Sequence, residues 1–413
     1  MGTIRKSLLQ LIFSGSFLKR WNDKLRPVEL YEVDKQAHKM IIAWVLFSIN
    51  SKGLSKDEKK LLALEVIEGG IFEYLYRLII TDIKPPIFYR IKSNPVHYKQ
   101  LTEWVFENLE PKIKPIGDEF WDRFKRYFLK EKESLAKKIL RAAHLYASEW
   151  EFNLIKSLNY FDEETKEIEE NFRSQLTKFG EIRGVSELIK SENTPLKKFI
   201  FQCGQLRFQK RWSQTPRIPE TSVLGHMFIV ACYAYFFTLV MGGCKKMAIN
   251  NFFAGLFHDL PELLTRDIIS PVKKSVKKIG DFIKEYENRE LENRIFRILS
   301  QGGYEFLASD LRYLLGMDVG SEFTPVIKLN NEAKEVTWDI LYNKYNYDDF
   351  DPKDGLTLKI CDNIAAFIEA YTALKNGITS DHLQQAVWRI RTAYNQYSLG
   401  NRLHVGSLLA DFD

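Results

Sequence analysis

The chain has 413 residues, of which 45% are hydrophobic and 14% aromatic, so it is long enough for two domains and too apolar for a disordered protein. Its formal net charge of +6, from 60 basic and 54 acidic residues, suits an anionic ligand without requiring a nucleic acid. The four cysteines lack CxxC spacing and lie in apolar segments, which argues against disulfides or a zinc knuckle and predicts buried thiols in a reducing cytoplasm.

The periodicity of the chain is helical almost throughout. The N-terminal apolar run is short and has no small-residue cleavage pattern, so we expect a packing helix there and not a signal peptide. Segments 213–222 and 318–328 are expected to be loops, with a small hairpin as the alternative for the second. The predicted fold class is all-α. Apolar residues recur every three to four positions, which predicts helices at 58–80, 118–158, 163–180, 246–259, 275–300, 332–345 and 355–376.

The most hydrophobic stretch runs from Met227 to Met241, about fifteen residues. This length is too short to cross a bilayer comfortably, so we expect a fully buried core helix that carries His226 near its start. We therefore do not expect a membrane protein from this sequence.

A His-Asp pair, His258 and Asp259, closes the apolar run 252–257. Placing an imidazole and a carboxylate beside apolar neighbours is unfavourable unless their polar groups are compensated, and a divalent cation would compensate both. His226 and Asp362 complete a set of two nitrogens and two oxygens, which suits a borderline or hard divalent metal. We therefore predict one divalent metal ion on these four residues, with Co, Mn, Ni, Fe, Zn and Mg all open. The alternative is that the histidines are ordinary hydrogen-bonded core residues.

The residues after this pair carry a resemblance to a known family. Glu262 lies three positions after Asp259, and Thr265-Arg-Asp267 and Pro271-Val-Lys273 follow. This segment resembles the HD-domain phosphohydrolase superfamily, and most of all its bacterial 5′-deoxynucleotidase branch. That branch also has an Arg-Trp pair before its first histidine, as Arg211-Trp212 precedes His226 here. The resemblance covers roughly residues 190–380 and implies one metal ion in an all-α bundle.

The resemblance also implies roles for individual side chains. Glu262 would work beside the nucleophilic water as an acid–base group, and Asp267 would orient that water or protonate the leaving oxygen. Arg211 and Lys273 would hold phosphate, and Trp212 would lie against the sugar. The structural alternatives are a solvent-facing Glu262, an ordinary helix end at Asp267, and a tryptophan that anchors its helix to the bundle.

Several motifs recur in the two halves of the chain, which predicts a tandem duplication. Lys19-Arg-Trp21 precedes His38 as Lys210-Arg-Trp212 precedes His226, and Gly69-Gly70 stands where His258-Asp259 would be expected. A helix near residues 138–157 would match the one bearing Asp362, with His144 near the ligand position. We predict a degenerate HD-like domain at 1–182 without the metal pair, and an HD-domain phosphohydrolase at 183–413. The alternative is a chance self-match.

The predicted function is a cytoplasmic, metal-dependent phosphohydrolase that acts on a small nucleotide-like phosphoester, such as a (deoxy)nucleoside 5′-monophosphate. It would act as a homo-oligomer or an intramolecular pseudo-dimer. A dNTP triphosphohydrolase uses the same four ligands and stays open, as does a non-catalytic nucleotide-binding or scaffold module with a structural metal. A nuclease is disfavoured because no basic stripe with interleaved aromatic residues is present. Residues 223–225 and 302–328 depart from the nucleotidase pattern, so the substrate is less defined than the reaction.

Overall fold

The computed structural model describes residues 2–129, 133–190, 192–266, 277–400 and 402–412. The predicted all-α fold class is confirmed, since the described residues form helices with only short strand pairs. Up to residue 182 the helices are α1 (Lys6–Ser14), α2 (Glu32–Asn50), α3 (Lys56–Ile80), α4 (Pro85–Lys92), α5 (Pro95–Ile113), α6 (Asp118–Leu129), α7 (Leu135–Ile155) and α8 (Glu164–Thr177).

The rest of the chain continues in the same way. Its helices are α9 (Val185–Ile189), α10 (Pro195–Gln205), α11 (Val223–Met241), α12 (Lys245–Phe257), α13 (Glu262–Thr265), α14 (Lys277–Leu291), α15 (Arg297–Gln301), α16 (Glu305–Leu314), α17 (Trp338–Lys344), α18 (Gly355–Lys375), α19 (Asp381–Tyr394) and α20 (Val405–Ala410). A π-helical turn covers Glu292–Phe296, and 3₁₀ turns cover Lys114–Ile116, Lys156–Asn159, Leu206–Phe208, Met317–Val319 and Asp348–Phe350.

The strands form three antiparallel pairs of two. They are β1 (Lys19–Arg20) with β2 (Leu30–Tyr31), β3 (Val326–Leu329) with β4 (Glu332–Glu335), and β5 (Ser398–Leu399) with β6 (Leu403–His404). The hairpin considered for segment 318–328 therefore exists, although it lies mostly beyond that segment. The predicted helix at 332–345 is wrong in its first part, because β4 occupies it and α17 begins only after the side chain of Thr337 caps the amide of Ile340.

Two further differences have local causes. The predicted helix at 118–158 is two helices, and the second starts where Ser134 caps the amide of Lys137. Helices α4 and α5 were not predicted; each begins with proline at its first or second position, a known start signal. Their apolar pattern is sparse because α4 buries no residue and α5 buries four.

Helix α11 lies at the centre of the fold. The side chain of Ser222 caps its first turn by accepting the amide of Gly225, and Gly242 ends it in the left-handed conformation at φ 71°. Every residue of the helix except Leu239 is buried, against α2, α12 and α18. At 19 residues it is longer than expected, and it is the one helix among the described residues that is long and apolar enough to cross a membrane. Its burial inside the protein fits the predicted core helix.

One hydrophobic core extends across the predicted domain boundary, from Ile4 to Phe412. Buried polar contacts also join the two sides. Ser222 donates to the carboxylate of Asp34, and Arg207 pairs with Glu151 at 2.8 Å. The division at 182/183 stays a prediction, and the two predicted halves fold around a common interior.

Candidate metal centre

The four predicted ligands come from three separate helical segments. His226 lies in the first turn of α11, whose start is fixed by the Ser222 cap. His258 and Asp259 follow directly after the last residue of α12, and Asp362 lies in the third turn of α18. The fold therefore brings together residues that are 136 positions apart in the chain.

Their side chains meet in a small buried cluster. The Nε2 atom of His226 lies 3.1 Å from Oδ1 of Asp362 and 3.7 Å from Oδ2 of Asp259. The Nε2 atom of His258 lies 3.2 Å from the same Asp259 oxygen. One donor atom each from His226, His258 and Asp259 lies within 4.8 Å of the others, close enough for all three to contact one ion. That these residues bind a metal stays a prediction.

The orientation of the imidazoles fits a metal. The Nδ1 of His258 donates to the carbonyl oxygen of Gly255 at 2.8 Å, because a carbonyl can only accept. The Nδ1 of His226 faces a carboxylate oxygen of Glu369 at 3.6 Å. Both rings therefore direct Nε2 at the aspartates. A ring nitrogen held by an acceptor on its far side is the usual arrangement of a metal-binding histidine.

The charges of the cluster favour ionised carboxylates. Burial acts to raise the pKa of both aspartates, yet His258 lowers that of Asp259, and His226 with Lys359 lowers that of Asp362. Burial acts to lower the pKa of His258, but the carboxylate of Asp259 raises it. The aspartates are thus negatively charged at neutral pH, the state in which they bind cations.

Glu369 is a residue that the sequence did not single out. Its side chain is 1% exposed and accepts hydrogen bonds from Trp212 Nε1 at 2.8 Å and from Thr221 Oγ1 at 2.8 Å. It follows Asp362 by seven residues, two turns along α18, so both carboxylates lie on one face of the helix. A glutamate between Ile368 and Ala370 in an apolar helix was the available signal.

Arg211 and Trp212 lie at this cluster, in contact with the protein's own carboxylates. Arg211 is 3.3 Å from Asp259 and 3.3 Å from Glu369. Burial acts to lower the pKa of Arg211, but these carboxylates raise it above its usual value. Trp212 has a positive φ of 57° and packs on residues of α18 and α19. This geometry favours the structural alternative for Trp212, whereas Arg211 also lies where it could reach an anion beside the ligands.

A cavity of about 90 Å³ adjoins the ligands, and Glu262 lines it together with His258, Asp259 and Glu322. The Glu262 side chain lies in α13 and is 6% exposed, so the solvent-facing alternative is wrong. The ring of Phe323 lies 6.3 Å from that of His258. Lys359, which the sequence also missed, donates to Asp362 at 2.8 Å while its side chain stays 43% exposed. The predicted residues Asp267 and Lys273 lie outside the described residues.

Comparison with known families agrees with this part of the chain. The family described as "HD domain" matches residues 203–391, a range that includes the four predicted ligands and Glu369. The match supports an assignment to the HD-domain superfamily and, at that level, a metal-dependent hydrolase. No curated protein and no solved structure matches the chain.

Proposed function

We propose that this protein is a metal-dependent phosphohydrolase that cleaves the phosphate ester of a small, nucleotide-like molecule. The observation that carries the proposal is the meeting of His226, His258, Asp259 and Asp362 beside a cavity lined by a buried glutamate. Two nitrogen and two oxygen donors suit a divalent ion of the Co, Mn, Ni, Fe, Zn or Mg type.

The residues around the cavity divide the work of hydrolysis. A bound divalent cation would supply Lewis acidity and lower the pKa of a water molecule. Glu262 would take the proton of the attacking water, since its carboxylate lines the cavity next to His258 and Asp259. Arg211 and Lys359 would compensate negative charge that develops on the phosphoryl oxygens. The sequence adds Asp267 for the leaving oxygen and Lys273 for phosphate.

For the substrate we propose a (deoxy)nucleoside 5′-monophosphate, as in the 5′-deoxynucleotidase branch that the sequence resembles. The Arg-Trp pair of that branch is present, and Arg211 is in contact with Asp259. We propose that the protein works in the cytoplasm, in keeping with the buried thiols of Cys203, Cys232 and Cys361.

The test is phosphate release from chelator-stripped full-length protein, with each divalent metal added back and a panel of nucleoside mono- and triphosphates. Asp259→Ala is the inactive variant, and Asp339→Ala, which changes an exposed aspartate of α17, is its matched control. We expect metal-dependent release of inorganic phosphate from monophosphates in the wild type and the control only. Release of triphosphate would instead identify a dNTP triphosphohydrolase. Absence of any release from metal-loaded protein would favour a binding module with a structural metal.

A further inference from the structure

Residues of the first half can be matched by geometry to those of the predicted metal centre, and we call the matched set its counterpart. In β1–β2, Lys19 pairs with Tyr31, and in the second half Lys210 pairs with Ser222, so both pairs join residues twelve positions apart. A helix of 19 residues begins directly after each pair. Counting four residues from each pair places Lys35 opposite His226.

The match of His38 with His226, expected from sequence, is therefore displaced by three positions. His38 is a buried core histidine that donates from Nε2 to the carbonyl oxygen of Ile200 at 3.0 Å. Burial lowers its pKa to about 3, so it stays neutral. Its ring also meets Trp150 edge-on at 5.2 Å.

The second helix of each half gives the next correspondence. The backbone of Gly70 packs on Met40 of α2, and that of Gly255 packs on Ala231 of α11, which are equivalent positions in the alignment above. Eleven residues later each chain segment has a non-glycine residue with positive φ, 54° at Thr81 and 63° at Arg266. Counting three residues from each glycine places Glu73 opposite His258, so the expected pairing of Gly69-Gly70 with His258-Asp259 is also displaced.

The third correspondence lies in α7 and α18. Glu151 accepts from Arg20 Nε at 2.7 Å and from Trp21 Nε1 at 3.1 Å, as Glu369 does from Arg211 and Trp212. His144 precedes Glu151 by seven residues, the spacing of Asp362 and Glu369. This spacing places His144 opposite Asp362, the pairing expected from the sequence, which stays a prediction.

In the counterpart, the side-chain amines of two lysines occupy the place that corresponds to the predicted metal centre. The Nζ atom of Lys35 lies 2.6 Å from Nδ1 of His144, and Lys39 donates to the carboxylate of Glu73. The Lys35 and Lys39 side chains are almost fully buried. With a lysine amine beside His144 and another beside Glu73, this half lacks the set of two histidines and two aspartates predicted for the second half.

The open side of the counterpart carries more basic groups than acidic ones. Lys92 of α4 lies over the ring of Tyr98 at 5.9 Å, and Lys137 of α7 lies over that of Tyr127 at 4.8 Å. Tyr127 donates to Glu73 at 2.5 Å, and Glu73 keeps 32% of its side chain exposed. Arg141, one turn after Lys137, is 50% exposed and pairs with Glu133 at 2.6 Å. We define Lys39, Lys92, Lys137 and Arg141 as the basic cluster.

The members of this cluster repel one another. Burial and the charge of Arg141 together lower the pKa of Lys92 and that of Lys137. Glu73 acts to raise the pKa of Lys92 and of Lys137, and it pairs with Lys39. Glu133 acts to raise the pKa of Lys137 and pairs with Arg141. Four basic side chains are thus balanced by these two carboxylates among the described residues. Like charges gathered at a partly buried, solvent-open position are stabilised when an anion binds among them.

We propose that the first half binds a phosphate group at the basic cluster, either as inorganic phosphate or as the phosphate of a larger molecule. Arg141 offers a planar fork for two phosphate oxygens, and the lysines offer point charges. Tyr98, beneath Lys92, offers an aromatic face beside the phosphate for a ligand that carries a base. The proposal is independent of hydrolysis in the second half.

The test is calorimetric titration of full-length, chelator-stripped Asp259→Ala protein with inorganic phosphate and, separately, with adenosine monophosphate. The background variant removes a proposed metal ligand, and comparison with the double variant below separates binding at the basic cluster from binding of phosphate by Arg211. We expect saturable, one-to-one binding that weakens at least tenfold in Lys92→Ala/Arg141→Ala. A tighter fit of the monophosphate than of phosphate would assign the site to a larger ligand, and equal affinity would assign it to the free ion.

The matched control is Lys166→Ala/Lys178→Ala, which removes the same charge from two exposed positions in the same half, one in α8 and one directly after it. Thermal unfolding of each variant verifies the fold, and the single variant Lys92→Ala replaces the double one if the latter unfolds. Absence of saturable binding would overturn the proposal. Equal weakening in the control, or undiminished binding without Lys92 and Arg141, would overturn it too.

Discussion

Trp21 and Trp212 have nearly the same backbone conformation, with φ of 56° and 57°, and each donates its indole N–H to a buried glutamate of a long helix. A left-handed conformation costs a bulky residue about 1–2 kcal/mol, so its presence at both positions needs compensation. The hydrogen bonds to Glu151 and Glu369 supply it. The Arg-Trp pair is therefore part of the scaffold in both halves, whatever else Arg211 does at the predicted metal centre.

These two glutamates allow a matched pair of substitutions. Glu369→Gln should weaken metal affinity about 10–100-fold, because it removes the charge that faces Nδ1 of His226. Glu151→Gln should lower the free energy of unfolding by on the order of 3 kcal/mol, because it leaves Arg207 without its buried counter-charge and removes one of the two carboxylates that pair with Arg20. Titration with Co²⁺ and chemical unfolding measure the two effects. If Glu151→Gln changed metal affinity as strongly as Glu369→Gln, the role given to Glu369 would be wrong.

Asp259→Ala should abolish metal binding and phosphate release together. Its carboxylate lies 3.2 Å from His258 and 3.7 Å from His226, so its removal takes away a negative donor that reaches both rings. Elemental analysis of the purified protein after dialysis against metal gives the occupancy. A variant that retained one equivalent of metal would show that Asp259 is not a ligand.

Glu262→Gln separates the acid–base role from metal binding. The substitution keeps the shape of a side chain that lines the cavity but removes its basicity, so turnover should fall by about 10²–10⁴ while bound metal is retained. Steady-state kinetics with metal analysis on the same samples provides the comparison. Full activity in this variant would exclude Glu262 as the group that takes the proton.

Lys35 gives a prediction about pH and stability. Burial lowers its pKa to about 7, against the opposing effect of Glu32, whereas lysine in an unfolded chain titrates near 10.5. Between these values the unfolded chain holds a proton that the folded protein lacks, so stability rises with pH. The free energy of unfolding of the wild type, relative to Lys35→Met, should therefore increase from pH 7 to pH 10 by on the order of 4 kcal/mol. Denaturant titrations at the two pH values measure it, and a constant difference would mean that folded Lys35 stays charged.

The sequence was informative where chemistry leaves a short motif. His258-Asp259 and the helical periodicity led to the all-α fold and to four candidate ligands that the structure brings into one cluster. Glu369 was missed because a single glutamate in an apolar helix has no motif, and only packing shows which groups face it. For the first half, the sequence matched histidine to histidine, whereas the strand register used in our proposal pairs Lys35 with His226; the duplication itself stays a prediction.

The burial of α11 depends on the first half of the chain. Its aromatic side chains are covered largely from the first half: Phe228 meets Tyr74 at 4.9 Å, Phe236 meets Phe120 at 5.6 Å, and Tyr233 donates to the carbonyl oxygen of Leu9. A polypeptide that started at residue 183 would expose this hydrophobic surface of α11 to water, and we expect such an exposed patch to cause aggregation. The first half is thus needed to keep α11 away from water, independently of any ligand that it binds.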